Sequence, residues 1–243
     1  MSVIAIGDIH GNSEALKDLL AKVVPEMRRH DTLVFLGDYI DRGPDSRGCV
    51  DEIIRLKRES PFTVITLLGN HEQWMLRCLH DPTRHSWLIG MDALETIQNY
   101  SEEAARQIAK ALDEYGARLF TLRIALPYDV FFNAMPREHL EFFQRLQPYY
   151  RERDVLCVHG GVDLEGAIDP PDVNTCVWGP TGFPEEYSGA DSVVYGHRNN
   201  AIVNDDGSVQ PRIGPNKTYG IDTISHGVLT ALRLPDGKVF QGA

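Results

Sequence analysis

Five short segments of this chain combine acidic, amide and imidazole side chains with glycine: Gly7-Asp8-Ile9-His10-Gly11, Gly37-Asp38-Tyr39-Ile40-Asp41-Arg42-Gly43, Gly69-Asn70-His71-Glu72, His159-Gly160-Gly161 and Gly196-His197. Asp8, His10, Asp38, Asn70, His159 and His197 together offer two carboxylates, three imidazoles and one amide oxygen. Mixed oxygen and nitrogen ligation suits Mn, Fe or Zn, and the lack of thiolate argues against a purely soft site. Six ligands exceed what one catalytic metal with open positions needs. They suit two ions about 3.5–4 Å apart that share a carboxylate. The neighbouring glycines allow the tight, often left-handed turns such ligand loops require.

Taken singly, each residue has an ordinary explanation. Asp-x-His is common in turns, Asn70 can cap the helix that begins near His71, and His159 or His197 can be a hydrogen-bonded core or rim histidine. Order and spacing carry the argument. Asp8 and Asp38 lie 30 residues apart, and Asp38 and Asn70 lie 32 apart, each about one βαβ unit.

Each segment follows a short apolar run: Val3–Ile6, Thr32–Leu36, Thr63–Leu68, Val155–Val158 and Ser192–Tyr195. These runs lack polar alternation, as expected of strands buried on both faces. Helices are expected from Asn12 or Ser13 to about Val24 and from Asp45 or Ser46 to Lys57,. The β-α-β-α-β order implies right-handed crossovers and a largely parallel sheet. In open α/β sheets ligands bind beyond the carboxyl ends of the strands, so all five segments can converge on one crevice. Residues 73–153 read as a helix-rich insertion, with helices at Glu72–Leu79, Glu102–Tyr115 and Pro136–Leu146 and a short strand at Pro127–Phe132. The insertion either covers a sheet edge or walls the substrate site. After Gly189 the chain turns β-like, and Gly227–Leu234 with Pro235-Asp236-Gly237-Lys238 predicts a hairpin,. No linker is visible, so residues 1–243 read as one α/β domain.

Composition narrows the class. A chain that is 42% hydrophobic and 24% charged is expected to be globular rather than disordered. The formal net charge of −11 disfavours long nucleic acid, whose binding relies on many Lys and Arg contacts. No apolar stretch reaches the 18 residues of a membrane span, and the first residues lack the basic and apolar regions of a signal peptide. Cys49, Cys78, Cys157 and Cys176 are scattered, which fits free thiols in a reducing cytoplasm.

The segments GDIHG (7–11), GDYIDRG (37–43), GNHE (69–72), HGG (159–161) and GH (196–197), with Gly220-Ile221-Asp222-Thr223, resemble the calcineurin-like metallophosphoesterases. The nearest branch holds phosphoprotein phosphatases and symmetrical dinucleoside-tetraphosphate hydrolases. The resemblance implies an α/β sandwich of two mixed sheets flanked by helices. It implies that Asp8 and His10 hold one metal, that Asp38 bridges, and that Asn70, His159 and His197 hold the other. His71 would be the general acid, Asp41 its orienting partner, and Arg42 a clamp on phosphoryl oxygens. Mn2+ is the expected metal, with Fe or Zn as alternatives, and a metal-bound hydroxide the expected nucleophile.

Three departures mark this chain. Leu68 stands before Gly69 where animal phosphoprotein phosphatases carry Arg, their Ser-Ala-Pro-Asn-Tyr stretch is missing, and Val177-Trp178-Gly179-Pro180 lacks the Arg that bacterial relatives often place after the Trp. Arg198, then Arg212, are the candidate replacements, and His226 is expected at the rim. The expected activity is phosphomonoester hydrolysis, on phosphoserine or phosphothreonine in proteins or peptides, with diadenosine tetraphosphate or another small phosphorylated molecule as the alternative substrate. A diester nuclease fits less well because DRG and GNHE together resemble the phosphatase branch and the acidic balance gives nucleic acid little help, and a non-catalytic phosphate-binding protein fits less well because every expected ligand, His71, Asp41 and Arg42 are present.

Overall fold

The computed structural model describes residues 2–166 and 171–243. The chain runs through β1 (Val3–Ile6), α1 (Ser13–Val23), β2 (Thr32–Phe35), α2 (Ser46–Glu59) and β3 (Thr63–Thr66). Seven helices follow: α3 (Asn70–His80), α4 (Ser86–Gly90), α5 (Leu94–Tyr100), α6 (Glu102–Tyr115), α7 (Arg118–Thr121), α8 (Tyr128–Ala134) and α9 (Arg137–Gln144). Then come β4 (Tyr149–Glu152), β5 (Val155–Val158), α10 (Val173–Trp178), β6 (Ser192–Tyr195), β7 (Ala201–Val203), β8 (Val209–Ile213), β9 (Thr218–Gly220), β10 (Leu229–Leu234) and β11 (Lys238–Gly242).

The strands form two mixed sheets. The first has the order β11-β10-β1-β2-β3 and the second β4-β5-β6-β9-β8-β7. Strands β1, β2 and β3 are parallel, as βαβ crossovers require,. The closing hairpin adds β10 antiparallel to β1, so the first sheet is mixed rather than largely parallel. β5, β6 and β9 are parallel to one another. Every residue of β1 and β2 is buried, which is why their sequences show no alternation.

The two sheets face each other through one apolar cluster. Val3, Ala5, Val34, Leu36 and Leu67 of the first meet Cys157, Val194 and Ile221 of the second. The outer face of the first sheet carries a larger cluster in which Ile4, Ile6, Leu33 and Phe35 pack with Leu16 and Leu19 of α1 and Val50 and Ile53 of α2. Trp87, Phe131 and Phe143 belong to that same cluster. The segment between β3 and β4 is therefore packed into the main core.

One element differs from expectation. Pro127–Phe132 does not form a strand; Tyr128–Ala134 is helix α8, with Pro127 preceding it. The β-prone aromatics mislead here because Tyr128, Phe131 and Phe132 recur at helical spacing and are all buried in the core,. No helix among the described residues is long and apolar enough to cross a membrane.

Candidate active site

Strand ends deliver the side chains, as the parallel pairing requires. Asp8 and His10 follow β1, Asp38 to Arg42 follow β2, Asn70 and His71 open α3 beyond β3, His159 follows β5 and His197 follows β6. Asp38 is the hub. Its Oδ2 lies 3.3 Å from His159 Nε2, 3.6 Å from His10 Nε2 and 3.8 Å from His71 Nε2. Two groups of donor atoms lie close enough to hold an ion, His10/Asp38/His71 and Asp38/His159/His197, and Asp38 belongs to both. Asn70 Oδ1 sits 2.8 Å from His159 Nε2 and 2.9 Å from His197 Nδ1. Asp8 accepts the His197 backbone N–H at 2.9 Å.

Backbone carbonyls set the tautomers. His10 Nδ1 is 3.0 Å from the Ile40 carbonyl and His159 Nδ1 is 3.1 Å from that of Leu36. A carbonyl only accepts, so each Nδ1 is the donor and each Nε2 keeps its lone pair for a ligand. Burial holds His10 down at about 3, and burial together with the neighbouring His159 imidazole holds His197 down at about 4. Burial, then the charges of Asp222 and Asp38, raise Asp8 well above the usual range. Burial also pushes Asp38 upward, but the imidazoles of His159, His71 and His10 outweigh it and hold it well below.

These residues fit a pair of divalent cations. Asp8, Asp38 and His159 are almost entirely buried, and so many acidic and basic atoms brought together without compensation would be costly. Two orphaned atoms point the same way. His71 Nε2 and Asp222 Oδ1 are buried with no hydrogen-bond partner.

His71 is gripped from behind. Its Nδ1 lies 2.7 Å from Asp41 Oδ2, with both residues fully buried. Burial lowers the His71 pKa, but Asp38 and Asp41 outweigh it and the net direction is upward. The protonated form that an acid needs is thereby favoured. Asp41 is itself held by Trp87 and Thr96, which lie in the helical segment.

Arg42 is exposed at the mouth, with Nη1 3.0 Å from His10 Nε2. Arg198 is exposed beside His197, and its Nη1 lies 3.4 Å from the Phe183 carbonyl. Arg212 lies outside this cluster, paired with Glu185 at 2.8 Å. His226 is exposed and lies 3.2 Å from Asn199. The Trp178 ring packs edge-on against His197 at 5.5 Å.

Several contributors were not singled out by sequence reasoning. Glu72 accepts backbone N–H groups from Asp38 at 3.0 Å, Tyr39 at 2.9 Å and Ile40 at 3.3 Å, and so shapes the turn that presents Asp38. Its place in GNHE was the available signal. Asp222 had its place in GIDT. Trp87 and Thr96 had no local signal.

Known proteins agree with this architecture. The model of the calcineurin-like phosphoesterase family matches residues 1–199, and the chain belongs to that family. Its members use a dinuclear metal centre. The chain is 41% identical over 90 residues to a serine/threonine-protein phosphatase 1 of Salmonella typhimurium, a match covering 36% of this chain and 37% of that one. It is 40% identical over 84 residues to a symmetrical bis(5'-nucleosyl)-tetraphosphatase of Azotobacter vinelandii, covering 35% and 28%. These matches thus span about a third of the relatives' own length. A solved structure described as a putative diadenosine tetraphosphatase superposes with a TM-score of 0.60 at 21% identity, over 99% of this chain and 92% of that one; this likeness concerns the fold.

Proposed function

We propose that the protein is a dinuclear metal-dependent phosphomonoester hydrolase that acts on phosphoserine and phosphothreonine in proteins or peptides. The observation that carries this reading is the buried His71 Nε2, unpartnered, 3.8 Å from the shared Asp38 carboxylate and backed by Asp41. Asp8, His10 and Asp38 would hold one cation and Asp38, Asn70, His159 and His197 the other. Bound there, two divalent ions, of which we favour Mn2+, supply an activated water and offset phosphoryl charge. His71 donates its Nε2 proton to the leaving oxygen as the P–O bond breaks. Asp41 holds the imidazole in line. Arg42 clamps the phosphoryl oxygens with a geometry that Lys lacks, and Arg198 is the second clamp. We read residues 1–243 as one domain, and the four free, buried cysteines support a reducing cytoplasm.

Symmetrical hydrolysis of a dinucleoside tetraphosphate is the second reading. It is supported equally by the relatives, since the Azotobacter tetraphosphatase and the Salmonella phosphatase match at nearly the same identity. The Mn2+-loaded protein assayed side by side on a phosphopeptide panel and on diadenosine tetraphosphate decides between them. A kcat/KM on the phosphopeptides at least tenfold above that on the dinucleotide supports the first reading, and the reverse overturns it.

A further inference from the structure

We propose that Trp87 and Thr96, contributed by the helical insertion, are positioning residues for the Asp41–His71 pair, so that the insertion is part of the catalytic apparatus. This rests on the reading of His71 as the acid. A carboxylate whose only partner is one imidazole nitrogen is free to rotate about its last torsion. Asp41 has no such freedom. Its Oδ2 accepts from both His71 Nδ1, at 2.7 Å, and Trp87 Nε1, at 2.8 Å. Its Oδ1 accepts from Thr96 Oγ1 at 2.6 Å.

Thr96 also takes hold of the backbone. Its Oγ1 accepts the Asp41 N–H at 2.9 Å and lies 3.0 Å from Ser46 Oγ, which is itself 3.1 Å from that N–H. Asp41 needs this hold because it sits at φ +72°, a left-handed conformation that a residue with a Cβ adopts at a cost,. Trp87 and Thr96 are fully buried and lie 46 and 55 residues along the chain from Asp41. The contacts are therefore tertiary and depend on the docking of α4 and α5. Buried donors of this kind, arranged around one carboxylate, orient it without touching substrate.

In hydrolysis a water gives one proton to solvent as its oxygen forms the new bond to phosphorus. The old P–O bond breaks with its electron pair on the leaving oxygen, which takes the His71 Nε2 proton. Alignment of that proton matters most when the leaving alkoxide is a strong base, and little when it is a nitrophenolate. A brace that only fastens the insertion would change stability without this dependence.

The test uses the full chain loaded with Mn2+ and compares kcat and KM on a phosphoserine peptide and on p-nitrophenyl phosphate. Thr96→Val should lower kcat on the peptide about tenfold, with KM and bound Mn2+ unchanged and p-nitrophenyl phosphate turnover nearly so. Thr96→Ser, which keeps the hydroxyl, should restore the peptide rate. Trp87→Phe should show the same substrate dependence and serves if Thr96→Val does not fold. His71→Asn separates the two levels of the argument. Selective loss of peptide turnover in His71→Asn, with no selective loss in Thr96→Val or Trp87→Phe, overturns the positioning role alone. No selective loss in His71→Asn overturns the acid assignment and this inference with it.

Discussion

At the scale of single residues, the site is made from backbone conformations that side chains resist. His10, Asp38, Asp41, Arg42 and His197 all have positive φ, between 45° and 72°. Each costs roughly 1–3 kcal/mol and persists only where its surroundings over-determine it. The neighbouring glycines explain why the chain can come so close. A Cβ on Gly69 would collide with Asp38 Oδ1 and Glu72 Oε2, and one on Gly196 with Asp8 Oδ1. The glycines made left-handed turns near the ligands legible in the sequence, but not that His10, Asp38 and His197 themselves take the left-handed conformation, which Asp and His adopt more readily than most side chains without requiring it,. The two arginines differ in the same way. Arg42 is placed by the turn after β2, while Arg198 was nominated only by adjacency to His197. Arg42→Ala should raise KM for phosphomonoesters about tenfold and weaken inhibition by inorganic phosphate to the same degree, since a charge-assisted fork is lost. Arg198→Ala should do likewise if its guanidinium leaves the Phe183 carbonyl for substrate, and unchanged steady-state kinetics would remove it from the site.

At the scale of elements, the legible part of the protein is the part whose information is local. Each of β1, β2, β3, β5 and β6 is a short strand followed within a few residues by its ligand, buried throughout in β1 and β2 and partly exposed at the start of β3, so strand and function share one window of sequence. The insertion has the opposite character. Its Trp87 and Thr96 act on Asp41, and helix α8 takes its identity from the core into which Phe131 and Phe132 pack. Those facts depend on tertiary partners, and propensity at Pro127–Phe132 pointed to a strand. The junction of β3 and α3 joins the two kinds of information, because Glu72 reaches back across to the turn after β2. Glu72→Gln tests that junction. An amide offers one acceptor oxygen in place of two and turns an N–H2 toward backbone N–H groups that need an acceptor. Loss of about 1–3 kcal/mol of stability is expected, read as a lower denaturant midpoint, together with weaker Mn2+ binding because Asp38 is no longer held in place.

At the scale of the whole molecule, the question is how a fold tolerates so much buried acid. Burial raises Asp8 and Asp41. Burial and the Asp38 charge push Asp222 up to about 7 and Glu72 to about 8. Carboxyls raised in this way bind more protons folded than unfolded. They stabilise the fold fully below the ordinary carboxyl range, and that stability is lost as pH rises through the folded values. His71, also raised, acts in the same sense above its ordinary value. His10 and His197, depressed to about 3 and about 4, act in the opposite sense, but only below about 6.5, the pKa of an unfolded histidine. Between pH 6.5 and 8 the carboxyls and His71 are therefore unopposed, and the metal-free protein should lose stability across that interval. Divalent ions reverse the slope, because they take the place of the same protons and bind more tightly as those protons leave. Thermal midpoints measured from pH 6.5 to 8, once with chelator and once with excess Mn2+, should therefore diverge, falling in the first series and holding or rising in the second. A chelated protein whose midpoint stays level across that interval would mean that the buried acids are already compensated by the protein alone, and that the strand ends were not assembled to wait for a cation.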